Sequence, residues 1–438
     1  MSKSEDFLRR IAERDLTVGV VGLGYVGLPL VVGFAEVGYR SIGFDVDSER
    51  IAALNGGSSH IEDVVSERIA AQRVDDRFVA TDVPDDLGRA DAIFIAVPTP
   101  FDEAKTPDLT YVRAATETVA SILRPGMVII LQSTTYPGTT TEVVQPILET
   151  SGLRAGVDFS LAFSPERVDP GNVTWTLRNT PKVVGGVDDD SSTSAAALLE
   201  SAMETEGLVR ILSSPASAEM AKLLENTYRA VNIALVNELA QLAHLMDVDI
   251  WEVIDGAATK PFGYQAFYPG IGPGGHCIPV DPYYLSWRAR IFDFQTKFID
   301  MAADTNLGMA EYVRLRLQTM LNDDGKALKD ARILAIGAAF KPSVSDMRNS
   351  RAVKVIEILR TAGAEVDYVD PYVPSLTFDG EVIKAVELTP EAIDAADAVI
   401  VLTAHPEIPY ELLAETTTPV FDAVNGTKRP EMANIHRL

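Results

Sequence analysis

The sequence predicts an α/β protein made of two doubly wound lobes joined by a long central helix. In the first half of the chain, apolar strand-like runs alternate with helical patterns, which is typical of a parallel sheet covered by helices. A second series of the same kind begins near residue 332. Because 438 residues are too many for one compact core, we expect two or three domains.

The first lobe is predicted from short apolar runs bounded by turn residues. Leu8, Ile11 and Leu16 suggest a short amphipathic helix ahead of the first strand. The predicted strands are 17–21, 41–44, 92–97 and 128–131, with weaker candidates at 159–163 and 182–184.

The central helix is predicted to begin at Ser214 and Pro215, which have the chemistry of an N-cap and a first helical residue. Apolar residues then recur at helical spacing as far as about Met246, so the helix should be about 45 Å long and link domains or form a subunit interface. Burial in a large core is the alternative. The second lobe is predicted from strands at 333–336, 365–369, 399–402 and 420–421 and a helix at 351–361. The predicted domains are 1–212, 213–320 and 321–438.

Charge and hydropathy exclude several classes of protein. A formal net charge of −25 opposes non-specific binding to nucleic acid or to an anionic membrane. The N-terminal segment is charged and shows no signal-peptide core, and no apolar stretch reaches the ~20 residues that span a bilayer. We therefore expect a cytoplasmic protein that binds neither nucleic acid nor membrane.

A glycine-rich turn between the first strand and the next helix predicts a dinucleotide site. Glycines permit a tight turn and close approach to a pyrophosphate, and the helix N-terminus then presents N–H groups. The second strand ends at Asp45, eighteen residues beyond Gly27, where an acid accepts hydrogen bonds from the adenosine ribose and repels a 2′-phosphate. NAD is therefore the expected cofactor; a structural glycine turn with an incidental acid is the alternative. The expected contacts are Gly22, Gly24, Tyr25, Val26, Gly27 and Asp45.

Two further strand ends carry candidate cofactor residues. Pro98 and Thr99 follow one strand, and Ser133 and Thr134 follow another. Ligands of open parallel sheets lie at the carboxyl ends of strands, so hydroxyls there can contact a cofactor or position a water. Plain loop chemistry is the alternative for each.

The loop around the only cysteine predicts a nucleophile. Four glycines lie within residues 270–275, directly before His276 and Cys277, and Asp281 follows. Such a backbone wraps closely around a ligand, and a cation such as Lys222 or His276 favours a thiolate. An inert thiol is the alternative. One cysteine and five scattered histidines show no metal-ligand spacing, so no metal site is expected.

Several motifs together resemble those of the UDP-glucose/GDP-mannose dehydrogenase family. They are Gly22–Gly27, Ser164–Glu166, the loop 270–282 with Cys277, and Phe340–Pro342 with Asp346–Arg348. The resemblance implies an N-terminal Rossmann domain, a central helical segment used for dimerisation and a C-terminal Rossmann-like domain that binds UDP. It also implies two successive NAD-dependent oxidations, in which Cys277 first forms a thiohemiacetal and then a thioester that water hydrolyses.

The resemblance assigns roles to individual residues. Lys222 stabilises the developing oxyanion, Asn226 binds substrate and Glu166 is the base of thioester hydrolysis. Asp281 and Thr134 hold the catalytic water. Arg50 and Arg348 contact the cofactor. Read in isolation, Asp281 is equally the start of an Asp-Pro turn, and the lysine and arginines are plain surface charges.

Three features are similar to the branch that acts on UDP-N-acetylhexosamines: the segment Arg167–Gly171 after Glu166, His276 before Cys277, and the aromatic segment 261–270. UDP-N-acetylglucosamine is the leading substrate, and UDP-N-acetylgalactosamine, UDP-N-acetylmannosamine and UDP-glucose are the alternatives. Core packing is the other interpretation of the aromatic residues. The expected substrate contacts are Arg167, Phe267, Tyr268, Gly270, Gly274 and Lys341.

Two alternatives come from other classes of protein. A two-electron hydroxy-acid dehydrogenase needs no cysteine and leaves the second lobe unexplained. A non-enzymatic NAD sensor has no use for Lys222, Glu166 and Cys277 together. What the resemblance implies is a homodimeric enzyme of polysaccharide biosynthesis with NAD and a UDP-sugar as its ligands.

Overall fold

The fold is taken from a computed structural model of the chain, which divides into two compact units. The first contains Met1–Glu225 and Trp287–Asp293, and the second contains Asn226–Ser286 and Phe294–Leu438. The structure describes residues 3–61, 64–74, 76–102, 105–169, 172, 174–429 and 432–438.

An eight-stranded sheet forms the centre of the first unit, with the order β3-β2-β1-β4-β5-β6-β7-β8. Neighbouring strands pair in parallel, except that β7 pairs antiparallel with β6. The order reverses at β1, as in doubly wound folds that bind a ligand between the two strands at the reversal. The strands are β1 Thr17–Val21, β2 Arg40–Phe44, β3 Phe78–Thr81, β4 Ala92–Ile95, β5 Val128–Leu131, β6 Ser160–Phe163, β7 Lys182–Gly186 and β8 Val209–Ile211.

Helices cover this sheet and complete its core. Because helices cover both faces, the strands are buried and apolar. Fully buried strand residues include Val18, Val20, Phe94 and Ile130. The first amphipathic pattern is helical, and Phe7 and Ile11 join the same core. The helices are α1 Lys3–Ala12, α2 Gly27–Glu36, α3 Ser48–Asn55, α4 Ser66–Val74, α5 Thr110–Ile122, α6 Gln145–Leu148 and α7 Asp189–Glu200.

The predicted central helix is confirmed as α8, Pro215–Leu245, with 31 residues. Its small residues Ala230, Ala234 and Ala240 are buried. Asn237 donates a hydrogen bond to Asn306 on the second long helix (2.9 Å), and both amides are buried. Paired amides inside apolar packing fix the register of two helices, because an unpaired amide would be costly there.

The second unit contains a five-stranded parallel sheet in the order β10-β9-β13-β14-β15 and a separate antiparallel hairpin, β11-β12. Its helices are α9 Ile250–Ala258, the first six residues of α10 Asp281–Ala289, α11 Lys297–Asp323, α12 Arg351–Thr361, α13 Pro390–Ala395 and α14 Glu411–Ala414. Its strands are β9 Arg332–Ile336, β10 Glu365–Val369, β11 Ser375–Phe378, β12 Glu381–Lys384, β13 Ala398–Val401, β14 Val420–Asp422 and β15 Ile435–Arg437.

The predicted α/β class with parallel sheets and a long central helix is confirmed, and the additions are short or unusual elements. β8 and β15 have three residues each, too few to show a period. The hairpin β11-β12 has a mostly exposed strand without an apolar run. Pro170 and Gly171 of the segment after Glu166 lie outside the described residues. The division at 212 and 320 stays a prediction.

Among the described residues, no helix combines the length and apolar character that crossing a membrane requires.

Candidate active site

The predicted glycine turn lies between β1 and α2 and leaves its backbone open to a ligand. Gly22 has a φ of +93°, and a Cβ there would lie 2.5 Å from the Ala96 carbonyl oxygen. A Cβ on Gly27 would lie 1.8 Å from the Gly22 oxygen, whereas one on Gly24 would meet nothing within 4 Å. Val26 supplies no side-chain cap to the N-terminus of α2. The turn therefore needs two of its glycines for its own geometry and keeps the third for close approach from outside.

Asp45 is held against this turn at the end of β2. Its Oδ2 accepts a hydrogen bond from the Leu23 N–H at 2.8 Å and another from Arg50 Nη1 at 2.8 Å. The side chain is 7% exposed. An acid fixed beside the glycine turn fits the ribose of a dinucleotide, and Arg50 on α3 lies beside that acid.

Ser133 joins the loops that follow β4 and β5. Its hydroxyl accepts a hydrogen bond from the Val97 N–H (2.9 Å) and donates one to the Val97 carbonyl (2.7 Å). Pro98 and Thr99 continue the first loop, and half-buried Thr134 continues the second. The structure therefore brings these four predicted residues to one edge of the sheet, and the serine hydroxyl bonds the main chain there.

Glu166 follows β6 at the same edge, and its carboxylate is surrounded by donors. One oxygen accepts hydrogen bonds from the N–H groups of Arg167 (2.8 Å) and Val168 (2.9 Å), and the other accepts one from Gln132 Nε2 (2.9 Å). The Lys182 ammonium lies 3.5 Å away. Burial alone would raise the pKa of the Glu166 carboxyl, but Lys182 and the two N–H groups hold that pKa below its ordinary value.

Two cations that the sequence predicted for the site belong to the first unit. They are Lys222, on α8, and Arg167, directly after Glu166. Lys222 on α8 is 7% exposed and adds to the lowering of the Glu166 pKa. Arg167 forms an ion pair with Glu225 at 2.7 Å and donates a hydrogen bond to the Pro181 carbonyl at 2.7 Å. Lys222 is therefore a buried cation rather than a solvated surface lysine, which is what oxyanion stabilisation needs.

Glu219 fixes α8 against the turn after β5. Its carboxylate accepts hydrogen bonds from the Gly138 N–H (2.6 Å), the Thr140 N–H (2.9 Å) and the Thr140 hydroxyl (2.7 Å). Glu219 is fully buried, and burial raises its pKa against the effect of these donors. Because Lys222 follows one turn later, this anchor also sets its position.

Cys277 is exposed in the second unit, at the end of the glycine loop. Its carbonyl accepts hydrogen bonds from the N–H groups of Val280 (3.0 Å) and Asp281 (2.8 Å), so a single turn ties the cysteine to the first residue of α10. Asn226 on α8 donates its amide hydrogen to Asp281 Oδ2 at 2.5 Å. The structure thus brings Cys277, Asp281 and Asn226 to one place.

Contacts from the loop after β9 hold the glycine loop. His276 Nε2 lies 2.8 Å from Asp346 Oδ2, and Asn349 donates a hydrogen bond to the Gly275 carbonyl at 3.1 Å. A Cβ on Gly274 or Gly275 would lie 2.9 Å from Phe340. Glycine is therefore required at both positions, because Phe340 packs against them. His276, which the sequence indicated as a cation for the Cys277 thiol, pairs with the Asp346 carboxylate.

The remaining predicted residues of the second unit lie around the two loops. Phe267 packs edge-on against Tyr228 at 5.8 Å, and Tyr268 stacks on Trp251 at 5.5 Å. Lys341 lies over the Phe340 ring at 5.7 Å. The two aromatic side chains therefore make packing contacts within their own unit.

The other two predicted contacts of this unit also engage their own surroundings. The Gly270 N–H donates to Asn237 at 2.9 Å. Arg348 pairs with Asp346 at 2.7 Å.

Sequence reasoning gave no role to four charged or polar residues of these groups: Gln132, Lys182, Glu219 and Asp346. Lys182 and Glu219 carried a usable signal, because a charged residue inside an apolar strand or helix pattern is seldom buried without a partner. Within the part of the chain that the structure describes, no group of three or more His, Cys, Asp or Glu residues has the geometry of a metal site.

Family models match the chain in three consecutive regions. The NAD-binding domain of the UDP-glucose/GDP-mannose dehydrogenase family matches residues 16–203. The central domain of that family matches residues 216–307, and its UDP-binding domain matches residues 334–429.

Individual relatives cover almost the whole chain. The UDP-N-acetyl-D-mannosamine dehydrogenase of Pyrococcus horikoshii is 36% identical over 428 residues, covering 96% of this chain and 98% of the relative. The UDP-N-acetyl-D-glucosamine 6-dehydrogenase of Pseudomonas aeruginosa is 37% identical over 402 residues, covering 90% of this chain and 92% of the relative. A solved structure of the Pyrococcus horikoshii UDP-D-ManNAc dehydrogenase superposes with a TM-score of 0.88 at 34% identity, covering 96% of this chain and 99% of that one.

Proposed function

We propose that this chain, which belongs to the UDP-glucose/GDP-mannose dehydrogenase family, oxidises the C6 hydroxymethyl group of a UDP-N-acetylhexosamine to a carboxylate. Its family makes it an NAD-dependent oxidoreductase that acts on a nucleotide sugar. The observation that carries the four-electron reaction is exposed Cys277, tied by one turn to buried Asp281.

The N-acetylhexosamine is supported by the relatives and by the loop sequence. Both curated relatives described above act, by their names, on UDP-N-acetyl sugars, one the manno and one the gluco epimer. UDP-N-acetylglucosamine is the first substrate to test, and UDP-N-acetylmannosamine is a second candidate because the Pyrococcus horikoshii relative, which covers 96% of this chain, carries that name.

The proposed chemistry uses Cys277 twice. Two molecules of NAD, bound in succession, would each supply the hydride acceptor for one oxidation. The C6 alcohol loses a hydride and a proton to give an aldehyde, and the Cys277 thiol adds to it as a thiohemiacetal. Loss of a second hydride and a proton leaves a thioester, and water then releases the carboxylate and restores the thiol. The covalent bond keeps the aldehyde from hydration and release.

Each supporting residue has a role that fits its surroundings. Lys222 is a buried cation placed on α8 to stabilise an oxyanion on C6. Glu166, kept ionised by its donors, accepts a proton from the attacking water. Asp281 and Thr134 position that water. Asn226 orients Asp281 through its hydrogen bond and contacts the substrate.

The contacts proposed for NAD and for the substrate are the ones that the sequence predicts. For the cofactor they are the turn Gly22–Gly27 with Asp45 and Arg50, the loop residues Pro98, Thr99 and Ser133, and Arg348. For the sugar nucleotide they are Arg167, Phe267, Tyr268, Gly270, Gly274 and Lys341.

A homodimer is part of the proposal. Along α8 a row of large apolar side chains is exposed at spacings of three, four and seven residues, which marks one face of a helix. An exposed row of this length is typical of an interaction surface, and a second copy of α8 offers the same apolar face to it. The row consists of Met220, Leu224, Tyr228, Leu235, Leu239 and Leu242, and Met246 directly follows the helix.

The test is NADH formation with a panel of UDP-sugars, together with analysis of the product. We expect two NADH per molecule of a UDP-N-acetylhexosamine and a uronic acid as product. One NADH per substrate would identify a two-electron dehydrogenase, and absence of turnover with every UDP-sugar would contradict the proposed activity.

The Cys277→Ser variant tests the covalent step. It should lose acid formation while it retains NAD binding, because the alcohol of serine is a far weaker nucleophile than a thiolate. A variant that formed the uronic acid at the wild-type rate would rule out the thioester.

A further inference from the structure

We infer that Lys182, assisted by Gln132, is a positioning residue for thioester hydrolysis, because it keeps the buried Glu166 carboxylate ionised and aligned as the base. The inference rests on the proposed function, in which Glu166 accepts the proton of the attacking water. It adds two residues to that step, neither of which belongs to the motifs that the sequence analysis used.

The sheet topology brings Lys182 to Glu166. β7 runs antiparallel to β6, with Phe163 opposite Gly185. Glu166 lies three residues beyond Phe163, and Lys182 lies three residues before Gly185. The first residue of an antiparallel strand therefore lies at the edge where the parallel strands end, which is the edge that carries Thr99, Ser133 and Thr134.

The two side chains are buried together. The Lys182 side chain is 3% exposed and the Glu166 side chain is 12% exposed, and their charged atoms are 3.5 Å apart. A lysine is almost never buried to this degree without a partner. The distance is long for a hydrogen bond but short for a Coulombic interaction in a poorly solvated place, so the ammonium acts chiefly through its charge.

Gln132 orients the second carboxylate oxygen. Its amide nitrogen donates to Glu166 Oε2 at 2.9 Å, while the amide is 3% exposed. Its own Oε1 is buried and has no hydrogen-bond partner among the described residues. A buried acceptor beside a catalytic carboxylate is costly as pure structure, and it is useful where a donor arrives with the reactants.

The chemical consequence concerns one proton. Water adds to the thioester carbonyl and passes a proton to Glu166, and the carbon–sulfur bond then breaks with the electron pair on the Cys277 sulfur. A protonated Glu166 cannot accept that proton. Without Lys182, burial would favour the protonated carboxyl, so hydrolysis would fail at low pH and recover as the pH rises.

The experiment measures the acylated enzyme directly. The full-length enzyme turns over UDP-N-acetylglucosamine, or whichever UDP-N-acetylhexosamine it oxidises, with NAD at pH values from about 4 to 9. Acid quenching and intact-protein mass spectrometry then give the fraction of Cys277 carrying the acyl group, and product analysis gives the rate of acid release.

Lys182→Met should accumulate acylated enzyme at the acid end of this range and lose it towards the alkaline end. Its acid limb should move upward by about one pH unit, equal to about a tenfold loss of acid release at a pH that lies on that limb. Gln132→Leu should shift in the same direction by less. Lys182→Arg retains the positive charge and should follow the wild type.

Controls separate the inference from its foundation. If the wild-type enzyme forms no uronic acid, the proposed function is wrong. If Glu166→Gln accumulates no acylated enzyme at any pH, the role of Glu166 as the base is wrong. If both behave as expected while Lys182→Met and Gln132→Leu follow the wild type at all pH values, the inference is wrong. A shift in Lys182→Arg equal to that in Lys182→Met would also overturn it.

A surface lysine provides the matched control. Lys354 forms an exposed ion pair with Glu357 at 3.0 Å in the second unit. Lys354→Met should leave the profile unchanged, because exposed pairs are screened by solvent. The double variant Lys182→Met/Glu166→Gln removes both charges. A higher thermal stability of the double variant than of Lys182→Met would identify the two side chains as a buried pair.

Discussion

The amide of Asn226 donates a hydrogen bond to the carboxylate of Asp281, with 2.5 Å between Nδ2 and Oδ2. Both side chains are buried, at 5% and 3% exposure. The pair joins α8 to the first residue of α10, which is also bonded through its N–H to the Cys277 carbonyl. The orientation of the acid after the cysteine therefore depends on an asparagine 55 residues away in sequence.

Asn226→Ala should destabilise the second unit and lower kcat. Leaving a buried carboxylate without this donor costs about 1–3 kcal/mol. Urea unfolding measures the first effect and steady-state NADH formation the second. Asn232→Ala is the control, because the Asn232 amide on the same helix donates its hydrogen bond to the Tyr228 carbonyl one turn before it. Equal losses in the two variants would show that the contact with Asp281 has no special role.

Two glycines of the NAD turn should respond differently to the same added methyl group. Gly24→Ala places its Cβ in open space, so the protein should fold normally while the KM for NAD rises about tenfold, about 1.4 kcal/mol. Gly27→Ala places its Cβ 1.8 Å from the Gly22 oxygen, so overpacking should cost about 1–3 kcal/mol of stability. Thermal unfolding and NAD titration separate the two effects; a stable Gly27→Ala variant would contradict the turn geometry.

Asp346 gives the second unit a defined pH dependence. Burial opposes its ionisation, but hydrogen bonds from His276 and Arg348 hold the pKa of its carboxyl well below the usual range. A depressed folded pKa adds stability above the unfolded pKa of about 3.9, and this contribution is lost as the pH falls through the folded value. Asp346→Asn should therefore destabilise the protein at pH 7 by about 1–3 kcal/mol and progressively less below about pH 4.

Urea unfolding at several pH values checks that expectation. Asp323→Asn removes an exposed carboxylate at the end of α11 and should change stability little at any pH. A difference between wild type and Asp346→Asn that stayed constant from pH 7 to pH 3 would contradict an electrostatic origin.

The sequence was sufficient for elements and motifs whose information is local. The strands at 17–21 and 128–131 and the helix at 351–361 have the predicted bounds, because apolar period and turn residues lie together there. The glycine turn and Asp45 were found for the same reason, since strand, turn and acid follow one another within one β-α-β unit.

Partners from distant strands were not predictable in this way. Lys182 reaches Glu166 only because β7 is antiparallel, and a lone apolar run does not reveal its direction. The His276–Asp346 pair joins residues 70 positions apart, and Glu219 meets the turn at Gly138 across 81. These contacts depend on tertiary packing, which no local pattern encodes.

The exposed row on α8 predicts that dimerisation can be weakened without touching any proposed site residue. Leu235→Asp with Leu242→Asp places two charges on a face where both side chains are about half exposed, at 53% and 50%. In a dimer these carboxylates would be buried without partners, so the dissociation constant should rise at least about a hundredfold, about 2.7 kcal/mol. Sedimentation velocity over a concentration series measures this, and Val382→Asp, at an exposed position on β12, should leave the assembly unchanged. A wild-type chain that sediments as a monomer at every concentration, or a double variant that dimerises as tightly as wild type, would exclude this face of α8 as the subunit interface.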